Sequence, residues 1–276
     1  MNATAVEAVA APAAVRPSQG RMAAYLEEVD AWRPEPRNVD DLAVWQDHLD
    51  SLIALQSAHP DALLDDFREG FADLRFARDT IPSLDDLNLF LAPYGWRAAH
   101  VIGMVPDDLY QEMLAARIFP VARHFRSRNT LDHVPVPDFL HDVFGHIPLL
   151  ACPDYRALIA EWAEAAVDHH DGPSRAGPPG GLSPQALFGR FYTWAIEFGI
   201  LAGNGSGCRI LGAAILSSPG EWSHYASGAP ALRSFDDGAM ASGIDYEILQ
   251  PTLFTVRDIG DYRVELDKLR TQLRKE

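Results

Sequence analysis

The stretch Val134-Pro-Val-Pro-Asp-Phe-Leu-His-Asp-Val-Phe-Gly-His-Ile-Pro148 carries two histidines, His141 and His146, five residues apart, with Gly145 directly before the second. A zinc protease needs His-Glu-x-x-His, where a spacing of four keeps both imidazoles on one helical face. Five residues of ideal helix rotate a side chain by about 500°, a net ~140°. The two rings therefore converge only if the helix distorts or ends near Gly145, where glycine permits either. A second segment, Arg190-Phe-Tyr-Thr-Trp-Ala-Ile-Glu-Phe-Gly199, sets Glu197 between Ile196 and Phe198 in an apolar helical run. A carboxylate buried there must be paired, protonated or bound to a cation, since bare burial costs on the order of several kcal/mol. Two imidazoles and one carboxylate form the ligand set of the facial-triad iron(II) oxygenases, which keep neighbouring coordination positions open. Taken singly, a buried histidine is more often hydrogen-bonded core, and a buried glutamate more often half of an ion pair.

Outward from this segment the chain reads mainly as α with a small β element. Helical apolar spacing marks residues 39–57, with Asp40 and Asp41 placed at the start, and then 61–76, 109–118, 154–168 and 184–201. Ser83-Leu-Asp-Asp86 has the form of a capped helix start, and 261–276 is a charged helix. Residues 96–105 and 208–216 read as short strands, with 248–256 as a partner that Pro251 confines to an edge. The Gly- and Pro-rich span 169–182 reads as a surface loop, so His169 and His170 are expected in solvent. An Ala-rich start reads as a disordered tail over 1–22, ahead of one catalytic domain over 23–276.

The 276 residues hold 23 Lys+Arg against 39 Asp+Glu, a net charge of −16, which disfavours nucleic acid or an anionic membrane as partner. No run approaches the ~18 apolar residues of a membrane span. The two cysteines, Cys152 and Cys208, make no disulfide framework, which fits the cytoplasm. An acidic enzyme or binding module with a single core remains.

Three motifs occur in a fixed order: Pro137-Asp138 through His141, Gly145-His146 and Pro148; then Ile196-Glu197-Phe198-Gly199; then Gly212-Ala-Ala-Ile-Leu-Ser-Ser-Pro-Gly-Glu221. The combination resembles the tetrahydropterin-dependent aromatic amino acid hydroxylases, which act on phenylalanine, tyrosine and tryptophan, and within them the single-domain bacterial phenylalanine-hydroxylating form. The family pattern Pro-Asp-x-x-His-(Glu/Asp)-x-x-Gly-His-x-Pro is met from Pro137 to Pro148, and weaker likeness runs through Gly95-Trp96, Gly103 and Val105-Pro106. The resemblance covers about residues 25–260. It implies Fe(II) held by His141, His146 and Glu197, with tetrahydrobiopterin or a related reduced pterin, dioxygen and an aromatic amino acid as partners of a monomer or dimer. By the same resemblance Arg126 pairs with the substrate carboxylate, Ser217 belongs to the same group, and Asp138 lies near the substrate's amino end and steadies the backbone. His133, Val134, Thr193, Phe198 and Ala214 would complete the substrate side. Gly103, Val105, Tyr110 and Asp142 fall on the pterin side, Tyr192 beside the metal, and Glu221 is a buried acid close to it. Para hydroxylation of L-phenylalanine is the implied reaction.

Several positions depart from the family pattern. Val136 replaces a glutamate, Thr193 replaces a tryptophan, and Ala214 stands where the family has glycine. Losing an indole opens volume while the added methyl closes some, so a meta product, tryptophan or a modified phenylalanine is an alternative outcome. Two other classes compete. A His-Asp phosphohydrolase would start from His141-Asp142 but needs an earlier histidine, and His124 is badly spaced for it. A catalytically silent amino-acid-binding protein would have lost a ligand, and all three are present.

Overall fold

The computed structural model describes residues 18–31, 39–103, 105–130, 132, 134–169, 181–203 and 207–274. Helix α1 (Ser18–Ala31) begins inside the span read as a tail. Its half-buried Met22, Tyr25 and Leu26 and buried Val29 recur at i, i+3, i+4 and i+7, one helical face. Helix α2 (Val39–Ala58) follows the apolar spacing of its sequence and buries Val44, Trp45, Leu49 and Leu52. The helix expected over 61–76 is shorter, α3 (Asp65–Asp73). Helix α4 (Leu84–Leu91) starts at Ser83 with a reciprocal capping box to Asp86.

Strand β1 (Arg97–Val101), helix α5 (Asp107–Ala115) and strand β2 (Ile118–Ala122) form a parallel β-α-β unit, Arg97 facing Ile118 and Val101 facing Ala122. The helical reading of 109–118 ran into β2 because Ile118-Phe-Pro-Val-Ala122 is buried throughout and so shows no period-two alternation. Pro120 is accommodated because the sheet has two strands and β2 is an edge.

The centre of the molecule is a broken helix: α6 (Phe139–His141), a π-helical turn (Asp142–His146) and α7 (Ile147–Leu149). Helix α8 (Pro153–Asp168) packs on α5, and α9 (Pro184–Phe191) runs into a second π-helical segment (Tyr192–Glu197). The apolar run expected to continue as helix to 201 instead leaves as strand β3 (Ile200–Leu201). Strand β4 (Arg209–Ile210) pairs antiparallel with β3, and the rest of the strand read over 208–216 folds as α10 (Ala213–Leu216). Helix α11 (Pro219–Ala226), strand β5 (Ala231–Ser234), α12 (Asp237–Ala241), β6 (Thr252–Val256) and α13 (Ile259–Arg274) complete the chain. The sheet order is β4-β3-β6-β5. Strand β6 is therefore internal, not an edge; Pro251 lies just before it and contributes only its carbonyl, to Ala231 N–H. No helix among the described residues is long and apolar enough to cross a membrane.

Candidate functional site

His141 ends α6 directly before the first π-helical turn and His146 ends that turn, so the distortion between them resolves their spacing. Bonding from i to i+5, seen in Ile147 N–H to Asp142 carbonyl, widens the turn so that residues five apart share a face. The rings of His141 and His146 meet edge to face at 4.9 Å, with their Nε2 atoms 3.1 Å apart. Glycine at 145 serves close packing rather than a helix stop: its φ is helical, and a Cβ there would lie 2.6 Å from the Ala213 carbonyl oxygen. The second π-helical segment, closed by Phe198 N–H to Thr193 carbonyl, delivers Glu197 from the opposite side. Glu197 Oε1 lies 3.1 Å from His146 Nε2, and Oε2 lies 3.5 Å from His141 Nε2. Gly212 packs against the Glu197 carbonyl, where a side chain would collide with backbone.

Outer partners orient both rings. Ser217 Oγ donates to the Ala213 carbonyl at 2.8 Å, so at its 3.0 Å contact with His141 Nδ1 it must accept. His141 therefore carries its proton on Nδ1 and turns the Nε2 lone pair inward. Tyr155 OH holds His146 Nδ1 at 2.8 Å, and His48 Nε2 lies 2.9 Å from the Ser217 carbonyl. Burial works against a charged Glu197, but the two imidazoles outweigh it and hold the carboxyl well below its ordinary range. Burial likewise depresses His146, whereas for His141 the facing Glu197 overrides burial and raises it.

This donor set fits a cation. Two ligands at a right angle, each about 2.1 Å from a divalent first-row ion, stand about 3.0 Å apart, close to the spacings seen here. Glu197 Oε2 is buried without a hydrogen-bond donor, an orphan that a metal would satisfy. Asp142 is a neighbouring carboxylate, grouped with His141 and His146 within 4.8 Å. Its Oδ2 already accepts Ala122 N–H at 2.7 Å, and burial pushes it up to about 7, so Glu197 is the better charged donor.

Asp138 caps α6 by accepting His141 N–H at 3.0 Å and forms a buried fork with Arg126, Nη2 to Oδ1 at 2.7 Å and Nε to Oδ2 at 3.0 Å. Burial opposes its ionisation, but the guanidinium prevails and the carboxyl titrates low. One aspartate thus joins the helix start that aims His141 to the arginine expected at the substrate carboxylate. Ser217, expected in that same carboxylate group, places its hydroxyl on His141. Thr193 is buried, with Oγ1 3.2 Å from Tyr246 OH, while Arg190 and Trp194 donate to the Ser242 carbonyl of the same loop. Phe198 packs beside Trp194, and Val134 and Ala214 are half-buried. His133 lies outside the described residues, as does His170.

On the other side, Tyr110 of α5 and Tyr192 meet edge-on with hydroxyls 2.5 Å apart, and Tyr192 lies 6.3 Å from the His146 ring. Burial pushes the hydroxyls of Tyr110, Tyr192 and Tyr155 well above 10, so all three stay protonated. Gly103, at φ +62°, and half-buried Val105 lie in the loop from β1 to α5. Glu221 accepts Gln250 N–H at 3.2 Å and anchors the segment before β6; burial raises it to about 7. The residues missed from sequence are Tyr155, His48 and Tyr246. A polar ring on the buried face Val44, Trp45, His48, Leu49, Leu52 was a readable signal for His48 alone.

The family model "Biopterin-dependent aromatic amino acid hydroxylase" matches residues 38–276. A phenylalanine-4-hydroxylase of Pseudomonas aeruginosa is 34% identical over 196 residues, 70% of each chain. That of Chromobacterium violaceum is 37% identical over 163 residues, 59% of this chain and 51% of that protein. A crystal structure of the Chromobacterium violaceum enzyme with bound iron(III) and 7,8-dihydrobiopterin superposes with a TM-score of 0.71 at 29% identity, covering 90% of this chain and 85% of that one. With this match over most of its length, the chain belongs to the biopterin-dependent aromatic amino acid hydroxylase family.

Proposed function

We propose that this chain hydroxylates the ring of L-phenylalanine at the para carbon, with ferrous iron held by His141, His146 and Glu197, a reduced pterin on the Tyr110 side and dioxygen as co-substrate, in the cytoplasm. One observation carries the reading: the Nε2 atoms of both histidines and the Glu197 carboxylate converge at 3.1–3.5 Å, with an orphaned carboxylate oxygen among them. Support comes from the names of the bacterial relatives and from the iron and dihydrobiopterin bound in the Chromobacterium violaceum neighbour. When bound, iron and pterin supply the redox power of dioxygen activation; the protein supplies position and dryness.

The chain's own residues divide that work. Ser217 and Tyr155 fix the two imidazoles so that their Nε2 atoms face one point. Arg126, held flat and desolvated by Asp138, presents a fixed positive charge for the substrate carboxylate. The Thr193–Tyr246 pair closes the ring side, and its two hydroxyls replace the apolar indole of the family pattern. That polar wall is the observation favouring the second reading, a ring seated differently and hydroxylated meta.

Oxygen uptake by the full chain tests the proposal. Uptake should require iron, tetrahydrobiopterin and an aromatic amino acid together, and NMR of the product from phenylalanine should show tyrosine. Uptake that persists without pterin would overturn the function, and meta-tyrosine would select the second reading.

A further inference from the structure

Helix α1 precedes the span matched by the family model, which starts at residue 38. Its apolar face, Met22, Tyr25 and Leu26, covers a satellite core of Ala99, Val101, Leu109, Met113 and Ile118, contributed by β1, α5 and β2. Two polar contacts reach past that core, one to the segment joining β1 to α5 and one to the first turn of α5. The β1–β2 ladder ends at Val101, so the next peptide has no strand partner. Tyr25 takes it over: Ile102 N–H donates to the Tyr25 hydroxyl at 3.0 Å, and that hydroxyl lies 3.5 Å from the Ile102 carbonyl. One turn earlier, Arg21 Nη1 pairs at 2.6 Å with Asp108, in the first turn of α5. The clamped segment contains Gly103 and Val105 and leads directly to Tyr110, whose hydroxyl meets Tyr192 beside His146.

We propose that Tyr25, with Arg21 in support, is a positioning residue for the pterin-side loop: α1 holds Ile102 and Asp108, at the two ends of that loop, in the arrangement that receives the cofactor and so sets pterin affinity without touching the pterin. The inference rests on the proposed function, because it takes the Gly103–Tyr110 side as the pterin side. A loop held in its bound conformation has less ordering entropy to lose on binding, so loosening it weakens affinity while leaving the iron ligands alone. Tyr25 and Arg21 leave the loop's own residues unchanged, which separates holding from contact.

The test uses the iron-loaded full chain and 7,8-dihydrobiopterin, titrated calorimetrically. Removing one hydrogen-bonding hydroxyl in Tyr25→Phe should raise the Kd about fivefold, the equivalent of one ordinary hydrogen bond. Arg21→Gln, whose ion pair is solvent-exposed, should raise it about twofold, Arg21→Lys should restore it, and Glu27→Gln on the exposed face should change nothing. The KM for tetrahydrobiopterin should rise in step, while kcat, the KM for phenylalanine and bound iron stay within about 1.5-fold. Amide exchange at Ile102 and Gly103 should quicken in Tyr25→Phe before any pterin is added. An unchanged Kd in Tyr25→Phe, or equal rises in both KM values, overturns this inference alone. A wild-type chain that binds iron but no dihydrobiopterin overturns the proposed function, and this inference with it.

Discussion

Gly145→Ala is the most informative single change at the metal-side backbone. The new methyl carbon would stand 2.6 Å from the Ala213 carbonyl oxygen and 3.2 Å from the Ala213 Cβ. Carbon and oxygen sit comfortably at about 3.3 Å, so the π-helical turn and α10 must part by about 0.7 Å. Neither neighbour can escape by a rotamer change, because the blocking atom is backbone in a close-packed interior. Such overpacking costs about 1–3 kcal/mol. Gly189→Ala in α9 is the matched reference: the residue is exposed and its Cβ would meet nothing within 4 Å. There the same change should stabilise by about 1 kcal/mol through helix propensity. The difference in unfolding free energy between the two variants, read by urea titration of iron-free protein, isolates the strain and is expected at about 1–3 kcal/mol. The effect should reach the metal, because the Ala213 carbonyl also receives the Ser217 hydroxyl that supports His141. Disturbing such an outer partner weakens metal binding by about 10–100-fold, measurable by competition with a chelator. A Gly145→Ala chain as stable as Gly189→Ala, with wild-type iron affinity, would refute the packing argument.

Two further outcomes are expected. Thr193→Trp must displace Tyr246 from its 3.2 Å contact, so product ratio or substrate preference should change while bound iron does not; parallel loss of iron in metal analysis would show that the residue supports the ligands rather than the ring. Glu221 titrates near 7 when folded against 4.5 ordinarily because it is buried, so the folded chain binds its proton more tightly. Its contribution to stability is full below pH 4.5, is lost as pH rises toward 7 and is flat above, about 3 kcal/mol in all. Glu221→Gln, which keeps an acceptor for Gln250 N–H, should remove that slope and be the more stable chain at pH 8; an unchanged slope in urea titrations from pH 4.5 to 8 would refute the assignment.

The sequence by itself determined the helices whose apolar residues recur with helical spacing, such as α2 and α13, and the cap at Ser83, because these are local. It also singled out the candidate site: His141, His146 and Glu197 stand in motifs whose order resembles the family's, and a lone acid in apolar surroundings needs a partner. The spacing of five required a distortion, though not its form. Only the tertiary structure decided that form, a π-helical turn with Gly145 pressed on Ala213, because a close approach between segments some seventy residues apart leaves no local trace. The same holds for β2, whose fully buried strand lacks alternation, and for the break after Glu197, where pairing with β4 and β6 overrides helical propensity. Tyr155, Tyr246 and Tyr25 acquire their roles from hydroxyls meeting partners 9, 53 and 77 residues away, and hydrogen bonds over such separations exist only once the core has closed.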